Sequence, residues 1–465
     1  MRRRSVLGTV AAALLGRSAR AASPAGLTGR WSGALQAGPQ RLRLRFEVAE
    51  DGTAVLRSLD QGGAPIPAQV AGAAGGRVRI DVPAVGGVFE GELKGDALPG
   101  VWRQGGGALP LALARGDGFD HAPATSPAPL TQARLEALRA QAGAPALGAG
   151  AARRGAPPRL WTAGERRAGS GAPVTENDPW HLGSITKSMT ATLTGRLVDA
   201  GRLRWDDTPG ALLAEAAPDM RPEYREVTLL HLLSHRSGLA ANLPMAQFAT
   251  FPRQSADARA DRIRYARAAL AAAPTGPAGS RFEYSNSGYV VAAAMLERRL
   301  GEPWEALIMR ELFGPLGLAS AGFGAPGQPG ALDAPVGHGP GPQGPLTPYG
   351  PEDAVNDNPA VLGPAGRVHM SLPDLLTYLA AHRDRTDLLK PETWKVLHTP
   401  PFGGGYALGW EVGDEGELRH NGSNTLWYAE ALVRPASGVV AAAAVNLAAA
   451  GAAAVQAVGE AAAAV

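Results

Sequence analysis

The sequence predicts two folded units, a small all-β barrel-like domain followed by a larger α+β domain. Three observations carry this reading. Residues 27–115 alternate apolar and polar side chains between Gly-rich breaks, residues 131–465 mix helical spacing with short apolar strands, and a Pro-, Ala- and Ser-rich linker at 116–130 lies between them. The chain has 465 residues, 45% of them hydrophobic, which is enough for more than one core. Its 61 glycines and 39 prolines follow no period, which excludes a fibre.

The amino terminus reads MRRRSVLGTVAAALLGRSARAAS. Arg2, Arg3 and Arg4 precede an uncharged run from Ser5 to Gly16, and small residues follow. Residues 1–22 are therefore expected to be a secretory signal, and the adjacent arginines point to the twin-arginine route and a periplasmic or secreted product. The uncharged run is too short to span a bilayer, so no stable membrane span is expected after its removal. Losing the five arginines of residues 1–22 takes the formal charge from +3 to −2. The basic balance thus belongs to the leader, and no nucleic-acid partner is expected. The sequence contains no cysteine, which excludes disulfides and thiolate sites.

In RLRLRFEV, Leu42, Leu44, Phe46 and Val48 alternate with Arg41, Arg43, Arg45 and Glu47. The pattern recurs at Val78, Ile80 and Val82 and at Leu109, Leu111 and Leu113. Half-buried antiparallel strands are the expected result, with Trp31 and Trp102 placed to plug a small barrel or sandwich. The region holds no histidine and one lysine, so a structural or docking module is expected of it.

After the linker, TQARLEALRAQAG has helical spacing at Leu135 and Leu138 and a Gly stop. ALGAGAARRG and PRLWTAGERR read as a strand pair. TATLTGRLVDAGRL, with Met189 just before it, is helical by the Met189, Leu193 and Leu197 spacing. Residues 324–351 are too rich in Pro and Gly for regular structure and are expected to be a loop. YALGWEV and WYAEALV look like strands, VVAAAAVNLA (439–448) like a buried strand, and GAAAVQAVGEAAAAV like a closing helix.

The chemistry centres on HLGSITKSMT, residues 181–190. Lysine occurs four times, at Lys94, Lys187, Lys390 and Lys395, and the other 41 basic residues are arginine. Lys187 lies three residues after Ser184, on the same helix face. With Ser184 at the helix N-terminus, the helix dipole favours developing negative charge on its oxygen. A desolvated lysine there loses its proton more easily and takes the one on the serine hydroxyl. Arginine stays protonated and cannot do this. In GSRFEYSNSGY, Tyr284 and Asn286 lie two apart in a Ser- and Gly-rich loop before a helix. In RHNGSN, His420 and Gly422 sit on an expected edge strand, offering a polar side chain and a bare backbone to a substrate.

Together these S-x-x-K, Y-x-N and H-x-G elements resemble the serine β-lactamase and penicillin-binding-protein superfamily, in its class C β-lactamase-like branch. HLLSHRSGL (231–239) and PAGRVHMSLPDLLTYL (364–379) resemble further segments of that branch, so the likeness spans residues 131–465. The resemblance implies an antiparallel sheet flanked by helices with a helical subdomain across the cleft. It implies that Ser184 is acylated, that Lys187 is the base, and that Tyr284 partners it or shuttles a proton to the leaving group. Asn286 would orient Lys187 and bind a substrate amide, and His420 and Gly422 would fill the third motif. The N–H groups of Ser184 and Ser423 would form the oxyanion hole. No cofactor or metal is implied.

His420 departs from the pattern, because β-lactamases carry lysine there to engage a substrate carboxylate. A mostly neutral imidazole attracts an anion less. The expected function is therefore an exported serine hydrolase acting on small esters or amides, an esterase or a D-amino-acid or peptidoglycan-peptide hydrolase. A class C-type β-lactamase and a non-catalytic penicillin- or cell-wall-peptide-binding protein stay as alternatives. His231 and His235 are spaced for a metal on a helix, but Leu-Leu-Ser between them carries no glutamate and no third ligand is evident, so a structural role is expected. No serine has glycine at both −2 and +2, which leaves no nucleophile elbow of the G-x-S-x-G type.

Overall fold

A computed structural model describes residues 26–37, 40–58, 66–104, 107–116, 128–353 and 355–465. The expected leader at 1–22 and most of the expected linker lie outside the described residues. The chain divides into two compact units, Met1–Pro123 and Ala124–Val465.

In the first unit eight antiparallel strands follow one another around a closed barrel. Alternation drives this, since every second side chain must leave water and a closed sheet has no free edge. Trp31, Phe46, Ile80, Phe89, Leu98 and Trp102 fill the interior, each at most 4% exposed. The Phe46 ring lies 5.9 Å from Phe89 and 6.4 Å from Trp102. Trp31 Nε1 donates to Leu27 O at 2.7 Å, so its one polar atom is satisfied inside. The barrel closes where Gly33 pairs with Leu113; a methyl group on Gly33 would stand 2.2 Å from Ala112 O.

The second unit is built on a six-stranded antiparallel sheet. Its strand order is Arg159–Gly164, Ala146–Arg153, Val439–Val445, Tyr428–Arg434, Leu418–Ser423 and Glu411–Val412. VVAAAAV is apolar throughout because both of its faces are covered. Ala441, Ala443 and Val445 pack with Leu135 and Leu138 of Gln132–Gln141 and with Ala457 and Val458 of Gly451–Ala462. Val440, Ala442 and Ala444 belong to the opposite core, with Leu375 and Leu379 of Leu372–Asp384. Alanine at these positions lets helices sit close to the sheet on either side.

The second core continues into the helical region. Met189, Leu193 and Leu197 of Thr186–Asp199 are fully buried, as are Val290, Val291 and Met295 of Asn286–Leu300. Arg262 of Ala258–Ala271 is fully buried and ion-paired to Glu297 at 2.6 Å and to Glu305 at 2.7 Å, which ties two helices and the following segment together. The antiparallel sheet with flanking helices and a helical region is the α+β architecture expected from the sequence.

Two local expectations are corrected. Residues 324–351 are not all loop, since Gly337–Gly341 and Gly344–Tyr349 pair as a hairpin. It is a two-stranded ribbon in which Pro348 pairs with His338, an edge position where proline is tolerated. His338 N donates to Asn446 O at 2.9 Å and anchors the ribbon to the end of the main sheet. YALGWEV pairs as a strand only at Glu411–Val412. Gly409 turns the chain at φ 77°, and a methyl group there would meet the Ser188 Cα at 2.5 Å, so this segment is pressed against helix Thr186–Asp199.

Candidate active site

Strand Pro179–His181 leads into a 3₁₀ turn, Gly183–Ile185, that runs directly into helix Thr186–Asp199. Ser184 sits in that turn, half-buried at the positive end of the helix. Lys187 lies one turn on and is fully buried. Its Nζ is 3.0 Å from Ser184 Oγ, 2.7 Å from Asn286 Oδ1 and 2.7 Å from Ala365 O. No carboxylate is among these contacts. Burial alone holds the Lys187 amine well below the usual lysine range.

A neutral amine, which this burial favours, can make all three contacts. Two N–H bonds donate to Asn286 Oδ1 and Ala365 O, and the remaining lone pair faces Ser184, able to accept its O–H. Asn286 is fixed in the orientation this needs, because its Nδ2 donates to Asn242 Oδ1 at 2.9 Å and leaves Oδ1 for the lysine. Ser285 caps the helix, accepting from Gly288 N at 3.1 Å, and places Asn286 in the first helical position.

Tyr284 precedes that cap, and Lys187 Nζ lies 4.8 Å from the centre of its ring. Burial pushes the Tyr284 phenol well above its usual range, with Ser184 opposing in part. The phenol therefore stays protonated and acts as a donor. A neutral amine and a neutral phenol beside one hydroxyl can serve as a base and an acid.

His235 supports this arrangement from behind. It is fully buried at φ 60°, its Nδ1 accepts from Ser285 N at 3.0 Å, and its ring lies 4.3 Å from Tyr284 and 4.8 Å from Tyr406. His231 lies apart, bonded to Thr228 and stacked on Phe402 at 4.2 Å.

Strand Leu418–Ser423 closes the other side of the site. Gly422 runs against the Gly183–Ile185 turn, where a methyl group would stand 1.9 Å from Leu182 O and 2.6 Å from Ser184 N. The approach is mutual, since a methyl group on Gly183 would be 2.3 Å from Ser423 N. The backbone nitrogens of Ser184 and Ser423 are thereby brought to one spot. The Ser423 hydroxyl serves the turn beyond, donating to Trp427 O at 2.8 Å and accepting from Thr425 N at 3.0 Å.

His420 is placed on the same face as Gly422, but its ring is closed off. It is 4% exposed; Nδ1 faces Asn421 O and Nε2 lies 3.0 Å from Tyr406 Oη. A carbonyl acceptor at Nδ1 requires an N–H there, so Nε2 accepts the Tyr406 hydroxyl. Burial, before all else, depresses its pKa to about 3, so the ring is neutral. Tyr406, Asn242 and the Ala365 carbonyl were not singled out in the sequence, and His235 was read there only as structural.

Residues 131–464 match the family model described as Beta-lactamase. The chain is similar to penicillin-binding protein 4 of Amycolatopsis lactamdurans, 28% identical over 298 residues, which cover 59% of this chain and 74% of that protein. It is also similar to esterase EstB of Burkholderia gladioli, 31% identical over 168 residues, 33% of this chain and 41% of that one, so the match spans less than half of this relative. A solved D-stereospecific amidohydrolase from Streptomyces sp. has a similar fold, with TM-score 0.53 and 25% identity, covering 68% of this chain and 93% of that one.

Proposed function

The chain belongs to the β-lactamase family and is a serine hydrolase, and on that footing we propose that it is an exported enzyme cleaving small esters or D-amino-acid amides through an acyl-enzyme on Ser184. The observation that carries this is the Lys187 amine, buried without a carboxylate partner, 3.0 Å from Ser184 Oγ and with two carbonyl-type acceptors for its own hydrogens.

Lys187 Nζ takes the Ser184 proton as Oγ bonds to the substrate carbonyl carbon. The carbonyl oxygen becomes an oxyanion facing the N–H groups of Ser184 and Ser423, donors typically worth about a hundredfold or more each. As the tetrahedral intermediate collapses, the bond to the leaving group breaks and Tyr284 O–H gives that group its proton. The Lys187 ammonium then returns a proton to Tyr284. Water adds to the ester in the second half by the same route, with its proton drawn toward Lys187, and the acid leaves as Ser184 is restored.

The closed His420 ring supports a preference for substrates without an anionic group at that position, since it offers neither a positive charge nor a free nitrogen. The names of two relatives, an esterase and a D-stereospecific amidohydrolase, point the same way. Export is supported by Arg2–Arg4 and the uncharged run after them. The test is a panel of p-nitrophenyl butyrate, D-alanine p-nitroanilide and nitrocefin, read by kcat/KM with wild type and Ser184→Ala. Ester or anilide turnover that exceeds nitrocefin turnover and vanishes in Ser184→Ala is expected. Nitrocefin as the fastest substrate, or activity surviving Ser184→Ala, would overturn the reading.

A further inference from the structure

Behind the two walls of the proposed oxyanion hole lies a buried polar cluster that the mechanism above does not use. Its centre is Asp357, 3% exposed. Oδ1 is 3.0 Å from His181 Nε2 and accepts from Asn424 Nδ2 at 3.1 Å; Oδ2 accepts from Arg367 Nε at 2.9 Å. Burial opposes its ionisation, but His181, Arg367 and Asn424 outweigh it and hold the carboxyl well below the usual range. It is a carboxylate that accepts from Asn424, Asn358 and Arg367 and lies in contact with His181.

Two of those partners, His181 and Asn424, lead to the site. His181 is fully buried, and its Nδ1 accepts from Gly183 N at 3.1 Å. That contact fixes the tautomer, because Nδ1 must offer a lone pair and Nε2, 3.0 Å from Asp357 Oδ1, must then carry the hydrogen. Gly183 is the residue before Ser184, held at φ 49°. On the other side Asn424 follows Ser423. Its Oδ1 accepts from Leu426 N and Trp427 N, both at 3.2 Å, and its Nδ2 also reaches Asn356 O at 3.2 Å. Trp427 closes the loop by stacking on His181 at 5.5 Å. The turn between them holds Thr425 at φ 79°, a conformation that a β-branched residue adopts only when its surroundings impose it.

We infer that Asp357 is a positioning residue that sets the separation of the Ser184 and Ser423 N–H donors, gripping the nucleophile turn through His181 and the third-motif turn through Asn424. Both donors belong to backbone that no ordinary rotamer change can adjust, so their spacing is set by what holds the two turns. A carboxylate shared by both provides one rigid reference. Without it, the two turns meet only through the close approach of Gly183 and Gly422 and the His181–Trp427 stack, and donor geometry within a few tenths of an ångström is what oxyanion stabilisation demands.

The inference rests on the acyl-enzyme reading, and the experiment separates the two. Wild type, His181→Phe, His181→Gln, Asn424→Ala and the His181→Phe/Asn424→Ala double variant are compared by fluorophosphonate labelling of Ser184 and by kcat and KM on p-nitrophenyl butyrate. Phenylalanine keeps the flat ring against Trp427 and removes both nitrogens. Glutamine restores an acceptor for Gly183 N and a donor for Asp357. His181→Phe and Asn424→Ala are each expected to lower kcat about tenfold or more with KM within about twofold, as for a lost transition-state contact. His181→Gln should recover most of the rate, and the double variant should lose less than the product of the two singles. If His181→Phe does not fold, Asn424→Ala and His181→Gln carry the same test. An unlabelled wild type overturns the acyl-enzyme reading and this inference with it. A labelled wild type with unchanged kcat in Asn424→Ala and His181→Phe, losses confined to KM, or no recovery in His181→Gln overturns the inference alone.

Discussion

Gly422→Ala puts a number on how closely the third-motif strand must approach the nucleophile. Gly422 has ordinary strand backbone, outside the left-handed region, so the substitution adds a methyl group and no φ strain. That methyl would stand 1.9 Å from Leu182 O, where a carbon–oxygen contact needs about 3.3 Å. The neighbours are backbone atoms and cannot rotate away, so strand and turn must part by about 1.4 Å, the difference of those two distances. The same methyl lies 2.6 Å from Ser184 N, so the parting opens the site at the donors themselves. A misplacement of about 1 Å costs on the order of a hundredfold, and loss of one oxyanion donor costs about the same or more. A drop of at least about a hundredfold in kcat/KM is therefore expected on p-nitrophenyl butyrate. Gly459→Ala is the control. It lies inside helix Gly451–Ala462 with open space around its Cβ position, and it should keep full activity and gain up to about 1 kcal/mol in stability. Gly422→Ala turning over within about threefold of wild type would refute the argument.

Lys187→Arg should keep the circular dichroism spectrum and lose at least about a hundredfold in kcat, because a guanidinium cannot act as the base; near-wild-type turnover would contradict the role given to Lys187. Asn242→Ala leaves the Asn286 amide free to turn away from Lys187, and about a tenfold fall in kcat with unchanged thermal stability is expected, since Asn242 is exposed. Acid should destabilise the fold through its buried imidazoles. Burial depresses His338 to about 4 and His420 to about 3 from the usual 6.5, so the unfolded chain takes up protons first as pH falls. Stability is thus full above about pH 6.5 and lost between there and about pH 3 to 4. From pH 7.5 to 5.5 each of the two costs about 1.4 kcal/mol, and urea unfolding at those pH values should show a difference of about 3 kcal/mol or more. Equal unfolding free energies would show that the two rings are not neutral in the folded state.

The features legible in the sequence were those that repeat or stand out against composition. Two-residue alternation around Phe46, Ile80 and Leu111 gave the barrel its strands, and the uniformly apolar VVAAAAV marked a strand covered on both faces. Lys187 was conspicuous because lysine is scarce, and its spacing from Ser184 falls on one helix face. The rest depends on contacts between segments far apart in the chain. Asn242 meets Asn286, Tyr406 meets His420, and Asp357 meets both His181 and Asn424, at separations that follow no period. Local composition also misled, as proline in residues 337–349 suggested a loop where an isolated ribbon tolerates it. YALGWEV looked like a strand where Gly409 turns the chain onto the Ser188 backbone. His420 was legible as a residue of the site but not as a closed one, because its partner hydroxyl comes from Tyr406, outside its own strand.

The scarcity of lysine makes the state of the Lys187 amine directly observable. With lysine labelled with ¹³C at Cε, the protein should give four side-chain resonances, from Lys94, Lys187, Lys390 and Lys395. One of them, identified by its disappearance in Lys187→Arg, is expected to titrate well below the other three and to report an uncharged amine at the pH of maximal ester hydrolysis. Its acid-side midpoint should coincide with the loss of kcat/KM as pH falls. Four resonances that all titrate near the ordinary lysine value, about 10.4, would mean that Lys187 is charged during turnover and cannot be the group that takes the proton from Ser184.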